Sequence, residues 1–171
     1  SQPKLRVAGN LPYNISTPLL FHLLDNVDQI QDMHFMLQKE VVDRICALAG
    51  ENNFGRLSVM IQYYCRAEYL FTVGPECFDP APKVDSAILR LTPRAPSIKA
   101  VDEARLSEFV RMGFQQRGKT LRNNLKKVFS AESIEACGID PGLRPEKVTV
   151  DQFVTMANKW CELGCVLPAS E

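Results

Sequence analysis

Long apolar runs are missing from this sequence. Nowhere does it offer the roughly 18 uninterrupted apolar residues that a membrane span needs, so no membrane partner is expected. Clusters of metal ligands are missing too. The six cysteines, at 46, 65, 77, 137, 161 and 165, form no CxxC pair, and the two histidines, His22 and His34, lie near none of them in sequence. A zinc site needs clustered ligands, so no metal is expected. Scattered free thiols suit a reducing cytosol, which makes the expected location cytoplasmic. The chain opens Ser-Gln-Pro-Lys, with no Met and no basic-then-apolar leader. That opening predicts no secretion signal and an upstream part of a longer protein that this chain lacks.

Net charge is missing as well, at +0, but the average conceals an uneven spread. Residues 1–104 carry 10 basic and 12 acidic groups, residues 105–127 carry 7 and 1, and residues 128–171 carry 3 and 7. A basic segment between acidic flanks is a candidate phosphate-binding surface. Apolar residues are plentiful: they make up 46% of 171 residues, enough for one domain or for a partial domain plus a small one.

Residues 5–9 read as a short buried strand ending in a Gly-Asn turn. Thr17 followed by Pro18 predicts a helix start, a hydroxyl cap and then proline at the first helical position, with the helix running to about Asp25. Met33–Leu37 is a second apolar strand, and helices are expected over about 40–49 and 56–65. Residues 67–73 and 84–91 read as strands joined by the proline-rich loop 78–83. Strand and helix alternating, with parallel-type apolar runs, predict an α/β class. After Pro93-Arg94-Ala95-Pro96 only helical spacing follows. Leu106, Phe109, Val110 and Phe114 make one apolar stripe, and Leu121, Leu125, Val128 and Phe129 make a second. A last amphipathic helix runs over 150–163 through Phe153, Met156, Ala157 and Trp160. Two domains are therefore expected, 1–95 and 96–171.

Asn10-Leu11-Pro12-Tyr13 stands directly after a strand, at the carboxyl end where open α/β sheets place their sites. Pro12 pushes Leu11 into an extended conformation, which fixes the direction of the Leu11 carbonyl. An amide oxygen and a backbone carbonyl aimed at the hydrogens of an exocyclic base amine would hold its nitrogen towards a tetrahedral, nucleophilic geometry. Such a base must first leave its stack, and Tyr13 offers it a flat face. The competing reading of four bare residues is a plain turn from strand to helix.

The stretch GNLPYNISTPLLFHLL resembles the amine-binding motif of adenine-N6 methyltransferases, in the form used by KsgA-type ribosomal RNA dimethyltransferases. The blocks MLQKEV, GRLSV and FDPAPKVDS resemble further blocks of that family in the same order. The erythromycin-resistance methyltransferases share the first and last of these. The resemblance runs over nearly all of the chain. It implies the C-terminal half of a Rossmann-like S-adenosyl-L-methionine-dependent methyltransferase domain, on the target-base side, followed by a small all-α RNA-binding domain. It also implies that Asn10 binds both the target amine and the S-adenosyl-L-methionine side of the site, with the Leu11 and Pro12 carbonyls assisting. Tyr13 is implied to pack on the adenine and Phe78 to stack on its other face; the alternative for Phe78 is a core aromatic at a strand end. The expected activity is methyl transfer to adenine amines of small-subunit (16S) ribosomal RNA, by a monomer acting on that RNA or its 30S precursor. The family's glycine-rich donor loop and ribose-binding acid have no counterpart here, since none of the nine glycines forms a GxG. This chain alone is therefore expected to be inactive. A different class of function, a ribosome-assembly factor that binds RNA without chemistry, would not need Asn10.

Gly113–Thr120 fits the phosphate-loop pattern GxxxxGK[ST], but that loop must follow a buried strand, and Leu106–Met112 has helical spacing. The resemblance treats the same segment as the FxxRxKTxRNxL signature of the helical domain, with Gly118 where members usually carry a second arginine. On that reading Arg117, Lys119, Arg122, Lys126 and Lys127 meet RNA phosphates. Residues 117–128 are expected to be largely helical, which would stack Lys119, Arg122 and Lys126 on one face. A solvated charged face is the alternative for each of them singly.

Overall fold

The computed structural model describes residues 2–169. The chain divides into two compact units. One takes the chain up to Ala47 together with Ile61–Ala95; the other takes Leu48–Met60 together with the described residues from Pro96 onward.

The first unit is built on a four-stranded sheet, β1 (Leu5–Asn10), β2 (Ile30–Gln38), β3 (Cys65–Val73) and β4 (Ser86–Pro93), in the order β1-β2-β4-β3. β1 and β2 are parallel, with α1 (Tyr13–Leu24) between them in sequence, whereas β4 runs antiparallel to both β2 and β3. The sheet is thus mixed rather than parallel throughout. Burial alternates along β2 and β4: Met33, Phe35, Leu37, Ala87, Leu89 and Leu91 are buried, while His34, Met36, Ile88 and Arg90 keep partial exposure. That period of two marks one covered and one half-open face. Leu20 and Leu24 of α1 and Val41, Val42 and Ile45 of α2 (Lys39–Cys46) are buried, and α1 packs on β2 while α2 packs on β2, β3 and β4. A bulge at Leu70, where Tyr69 and Phe71 oppose consecutive residues of β4, leaves Leu70 and Phe71 exposed.

Two expectations fail here for identifiable reasons. The strand at residues 5–9 is not buried: Leu5 is 61% exposed, because β1 pairs with β2 alone among the described residues. The first helix does not begin at Thr17. It begins at Tyr13, and Pro18 lies inside it. Pro12 takes the cap position with φ −59° and ψ 149°, its carbonyl accepts the Ile15 N–H at 3.3 Å, and the Ser16 hydroxyl donates to the Tyr13 carbonyl at 3.0 Å. These bonds sustain the first turn ahead of Pro18, which lacks the N–H that would otherwise donate to the Asn14 carbonyl.

The second unit is helical: α4 (Glu103–Gly113), α5 (Leu121–Leu125), α6 (Ala131–Ala136) and α7 (Val150–Glu162). Each starts on a side-chain cap, from Asp102, Thr120, Ser130 and Thr149 respectively. Thr149 and Gln152 form a reciprocal capping box. α7 ends in a Schellman turn: Gly164, at φ +94°, donates to the Cys161 carbonyl at 3.1 Å, and Cys165 donates to that of Trp160 at 2.9 Å. Trp160 and Phe109 face each other at 5.5 Å between ring centroids, and Phe109 meets Phe129 edge-on at 5.4 Å.

A boundary at 95/96 alone does not describe this division, because Leu48–Met60 joins the helical unit and the split falls inside α3 (Arg56–Tyr64). Buried Phe54 lies edge-on to Phe114 at 6.5 Å. Gly50 donates to the Glu146 carbonyl at 2.7 Å and accepts from the Lys147 ammonium at 3.1 Å. No helix among the described residues is long and apolar enough to cross a membrane.

Candidate functional site

Asn10 closes β1 opposite Met36, and the Leu11 N–H extends the ladder one step further, donating to the Met36 carbonyl at 3.1 Å. The parallel pair therefore fixes the backbone up to the residue after Asn10. The Asn10 side chain is exposed and has no hydrogen-bond partner among the described residues. The carbonyls on either side of the Leu11–Pro12 bond differ. That of Pro12 accepts from Ile15, whereas that of Leu11 accepts from no described residue. Leu11 is thus the better placed of the two to meet a ligand's hydrogen. Tyr13, the first residue of α1, is 67% exposed.

Phe78 follows a short 3-10 turn, Pro75–Cys77, in the loop from β3 to β4, and its N–H donates to the Pro75 carbonyl at 3.1 Å. It is partly exposed rather than a core aromatic. This loop returns over the sheet end where β1 and β2 finish, since the Lys39 N–H, just beyond β2, donates to the Asp85 carbonyl at 2.9 Å. Phe78 and residues 10–13 therefore share one end of the sheet, without a hydrogen bond or ring contact joining them. A cleft of about 370 Å³ opens at the same end, lined by Gln38, Lys39, Glu40, Pro75, Lys83, Val84 and Asp85. Sequence reasoning singled out neither Lys39 nor Lys83. Lys39 donates to the Asp43 carboxylate at 2.8 Å, and that hydrogen bond and charge hold its ammonium above the ordinary lysine value.

No thiol is poised as a nucleophile in this sheet unit's core. Burial pushes Cys65 up to about 12 and Cys46 up to about 11, so neither offers a thiolate at neutral pH. Among the described residues no three His, Cys, Asp or Glu side chains gather as a metal site.

In the helical unit, Arg117, Lys119, Arg122, Lys126 and Lys127 are all exposed. They do not lie along one helix as expected, because only Leu121–Leu125 is helical and Lys119 stands before its cap. Asn124 explains the difference. Its amide oxygen accepts from the Gln116 N–H at 2.8 Å, and its amide nitrogen donates to the carbonyls of Gln116, Lys119 and Thr120 at 3.2, 3.4 and 3.2 Å. Gly118 turns the chain at φ +84°, and its carbonyl accepts from the Arg144 guanidinium. The segment is thus a stapled loop, entered from a helix. A phosphate cradle is excluded on two counts: no strand leads into Gly113, and the N–H groups of Gln116 and Lys119 are already donated within the loop, the latter to Gln116 at 3.3 Å. Arg117 is partly committed as well, donating to the Asn52 carbonyl at 2.8 Å, whereas Lys119, Arg122, Lys126 and Lys127 have no side-chain partner among the described residues.

Gly118 gives a direct check on this loop. An L-residue in the left-handed region costs roughly 1–2 kcal/mol, and a Cβ would sit 3.4 Å from the Arg144 guanidinium. Gly118→Ala is expected to lower stability in urea unfolding by about that amount. An unchanged midpoint and slope would show that the loop does not need the turn.

A mixed four-stranded sheet with helices packed on it, together with a unit of capped helices, defines the class of fold as α/β with an added all-α part. A crystal structure titled as a dimethyladenosine transferase from Plasmodium falciparum superposes at a TM-score of 0.81 and 23% identity, covering 96% of this chain and 70% of that one. The structure of the 23S rRNA methyltransferase ErmE follows at 0.67 and 24%, covering 94% and 67%. The chain belongs to the ribosomal RNA adenine dimethylase family, whose pattern matches residues 1–161. It is 59% identical over 164 residues to the ribosomal RNA small subunit methyltransferase A of Pseudomonas aeruginosa, covering 95% of this chain and 61% of that protein. To the Marinomonas protein of the same name it is 61% identical over 155 residues, covering 90% and 58%. The chain spans about three-fifths of the length of the curated relatives it matches.

Proposed function

We propose that the protein of which this chain is a part transfers methyl groups from S-adenosyl-L-methionine to exocyclic amines of adenines in small-subunit ribosomal RNA, acting in the cytoplasm as a monomer. The observation that carries the reading is the free Asn10 carboxamide beside the free Leu11 carbonyl at the end of β1, in a chain of the adenine dimethylase family. The relatives' name supplies the subunit. Residues 1–95 serve the target base, and residues 96–171, with Leu48–Met60 beside them, serve the RNA.

Asn10 and Leu11 accept the two amine hydrogens, which draws the nitrogen lone pair out of conjugation with the ring. Tyr13 and Phe78 present ring faces to the flipped base, each worth about 1–3 kcal/mol in comparable stacks. Of this chain's residues, Asn10 alone is assigned to the methyl-bearing end of the donor; its neutral, uncommitted carboxamide fits that place. S-adenosyl-L-methionine supplies, when bound, a methyl group on sulfonium sulfur, activated enough that no strong general base is required. Positioning is therefore this chain's main contribution. Lys119, Arg122, Lys126 and Lys127 meet phosphates, with Arg117 both shaping their loop and adding to the charge. Structured RNA is recognised largely by shape and backbone, which suits lysine and arginine without a base-reading motif.

The test uses the protein together with the upstream part that its relatives possess. Unmodified small-subunit RNA is incubated with methyl-labelled S-adenosyl-L-methionine, and nuclease digests are resolved by mass spectrometry. Methylated adenosine is expected. RNA binding without any incorporated label would replace this reading with an assembly factor that performs no chemistry.

A further inference from the structure

The segment that carries Arg117 and Lys119 has no apolar hold of its own. Residues 115–119 are all exposed, so burial does not order them. Asn124, half-buried on α5, does so instead. Its carboxamide meets both backbone groups of Gln116, accepting from the N–H at 2.8 Å and donating to the carbonyl at 3.2 Å. It donates further to the carbonyls of Lys119 at 3.4 Å and Thr120 at 3.2 Å. Lys119 is thereby fixed at both of its peptide groups, because its own N–H donates to the Gln116 carbonyl at 3.3 Å. Its ammonium has no partner among the described residues. The start of α5 does not need this arrangement. Thr120 caps the Asn123 N–H at 3.2 Å, and the N–H groups of Leu121 and Arg122 donate to the carbonyls of Leu143 and Pro141 at 2.6 and 3.0 Å. Three of the four Asn124 bonds reach back beyond that cap, to Gln116 and Lys119, where they close a charged loop.

A loop that becomes ordered only on its ligand binds about tenfold more weakly for each residue whose backbone must be fixed at that moment. A loop ordered in advance avoids the loss. Only a carboxamide suits this place, since it must accept from an N–H and donate to carbonyls; a carboxylate could accept but not donate. We propose that Asn124 is a positioning residue for RNA binding, which holds Lys119 ready for a phosphate before the RNA arrives. It acts through the loop it ties and not by meeting the RNA. The inference rests on the reading of Lys119 as a phosphate contact, and it adds the device that presents that contact.

Asn124→Ala, Lys119→Gln and the double variant, made in the protein that includes the upstream part, test it. Binding of unmodified small-subunit RNA is measured over several salt concentrations, at a temperature where circular dichroism shows each variant folded. Amide exchange at Gln116 and Lys119 reports on the loop. Asn124→Ala is expected to speed that exchange and to weaken binding by about tenfold. The slope of log affinity against log salt should stay at the parent's value, since every charge is kept and reaches the same phosphate once bound. Lys119→Gln should instead lower that slope by about 0.7–0.9, the share of one phosphate contact. In the double variant, Asn124→Ala should cost little beyond Lys119→Gln, because the residue it positions is gone. A side chain that only supported the fold would leave the affinity of the folded protein untouched. Should Asn124→Ala not fold, Asn124→Ser takes its place with the same expectations: it keeps a hydroxyl at this half-buried position but cannot meet both groups of Gln116. Unchanged exchange overturns the positioning role, because the loop would then be ordered without Asn124. Faster exchange with the parent's affinity, or a loss as large in the Lys119→Gln background as outside it, overturns that role and leaves the proposed function standing. If neither Asn124→Ala nor Lys119→Gln weakens binding, the reading of Lys119 falls and the inference falls with it.

Discussion

Asn10→Ala, made in the protein that includes the upstream part, slows methyl transfer by roughly 100- to 1000-fold, about 2.7–4 kcal/mol, the usual cost of losing one preorganised hydrogen-bond partner of a reacting centre. The amide oxygen of Asn10 is proposed to accept from the adenine amine as that nitrogen loses its conjugation, so the bond strengthens on the way to the transition state. A loss confined to that stage lowers the rate at saturating RNA and leaves affinity almost unchanged. The strand ladder supports this separation. The Asn10 side chain hydrogen-bonds to no described residue, while the backbone around it is fixed by pairing with β2, so truncation should leave the fold intact. The Leu11 carbonyl remains in place and keeps part of the effect. Affinity is proposed to reside instead in phosphate contacts, so alanine at Lys119 and Arg122 should flatten the salt dependence and spare the rate once RNA saturates. The measurement is single-turnover methylation paired with RNA binding at several salt concentrations. A variant that methylates at the parent's rate would reduce Asn10–Tyr13 to a turn between strand and helix.

That Asn10–Tyr13 stands at the carboxyl end of a strand was legible in the sequence because the segment directly follows a short apolar run, while its role as a site was implied by the family resemblance and is a proposal. The strand and helix pattern was legible for a similar reason: the apolar run in β2 and the apolar spacing of α4 and α7 are local signals. What escaped depends on partners distant in sequence. Whether β1 is buried is decided by what lies along its second edge, not by its own apolar residues. Residues 117–128 were expected to be largely helical, but Asn124 and Arg144 capture the carbonyls of Gln116, Gly118 and Lys119 and hold that stretch as a loop. Prolines 93 and 96 mark a composition break, yet nothing in the composition of residues 48–60 reveals that Phe54 will bury with the helical residues.

Trp160→Ala is expected to destabilise the helical unit by about 3–5 kcal/mol, the range for removing a large aromatic from a packed core. Native domains hold only about 5–15 kcal/mol in total, so the variant should be largely unfolded or close to it at 37 °C. Trp160 is fully buried on α7, its ring lies 5.5 Å from that of Phe109 on α4, and its indole N–H donates to the Val166 carbonyl at 2.9 Å. Removing it opens a void where α7 meets α4 and releases the residues after the Schellman turn. Trp160→Phe separates the two contributions. It keeps most of the ring packing and loses the hydrogen bond, worth about 0.5–1.5 kcal/mol net, plus the smaller void left by the second ring. Trp160 is the only tryptophan in the chain, so urea unfolding must be followed by far-ultraviolet circular dichroism rather than intrinsic fluorescence. The functional consequence follows from the same core. Leu121 and Leu125 are buried in this unit and fix the short helix on either side of which Lys119 and Lys126 stand. RNA binding by Trp160→Ala should therefore fail although every basic residue is retained, and it should recover on cooling or with osmolyte as the unit refolds. Unfolding of Trp160→Ala within about 1 kcal/mol of the parent would mean that α7 is not the element that closes this core.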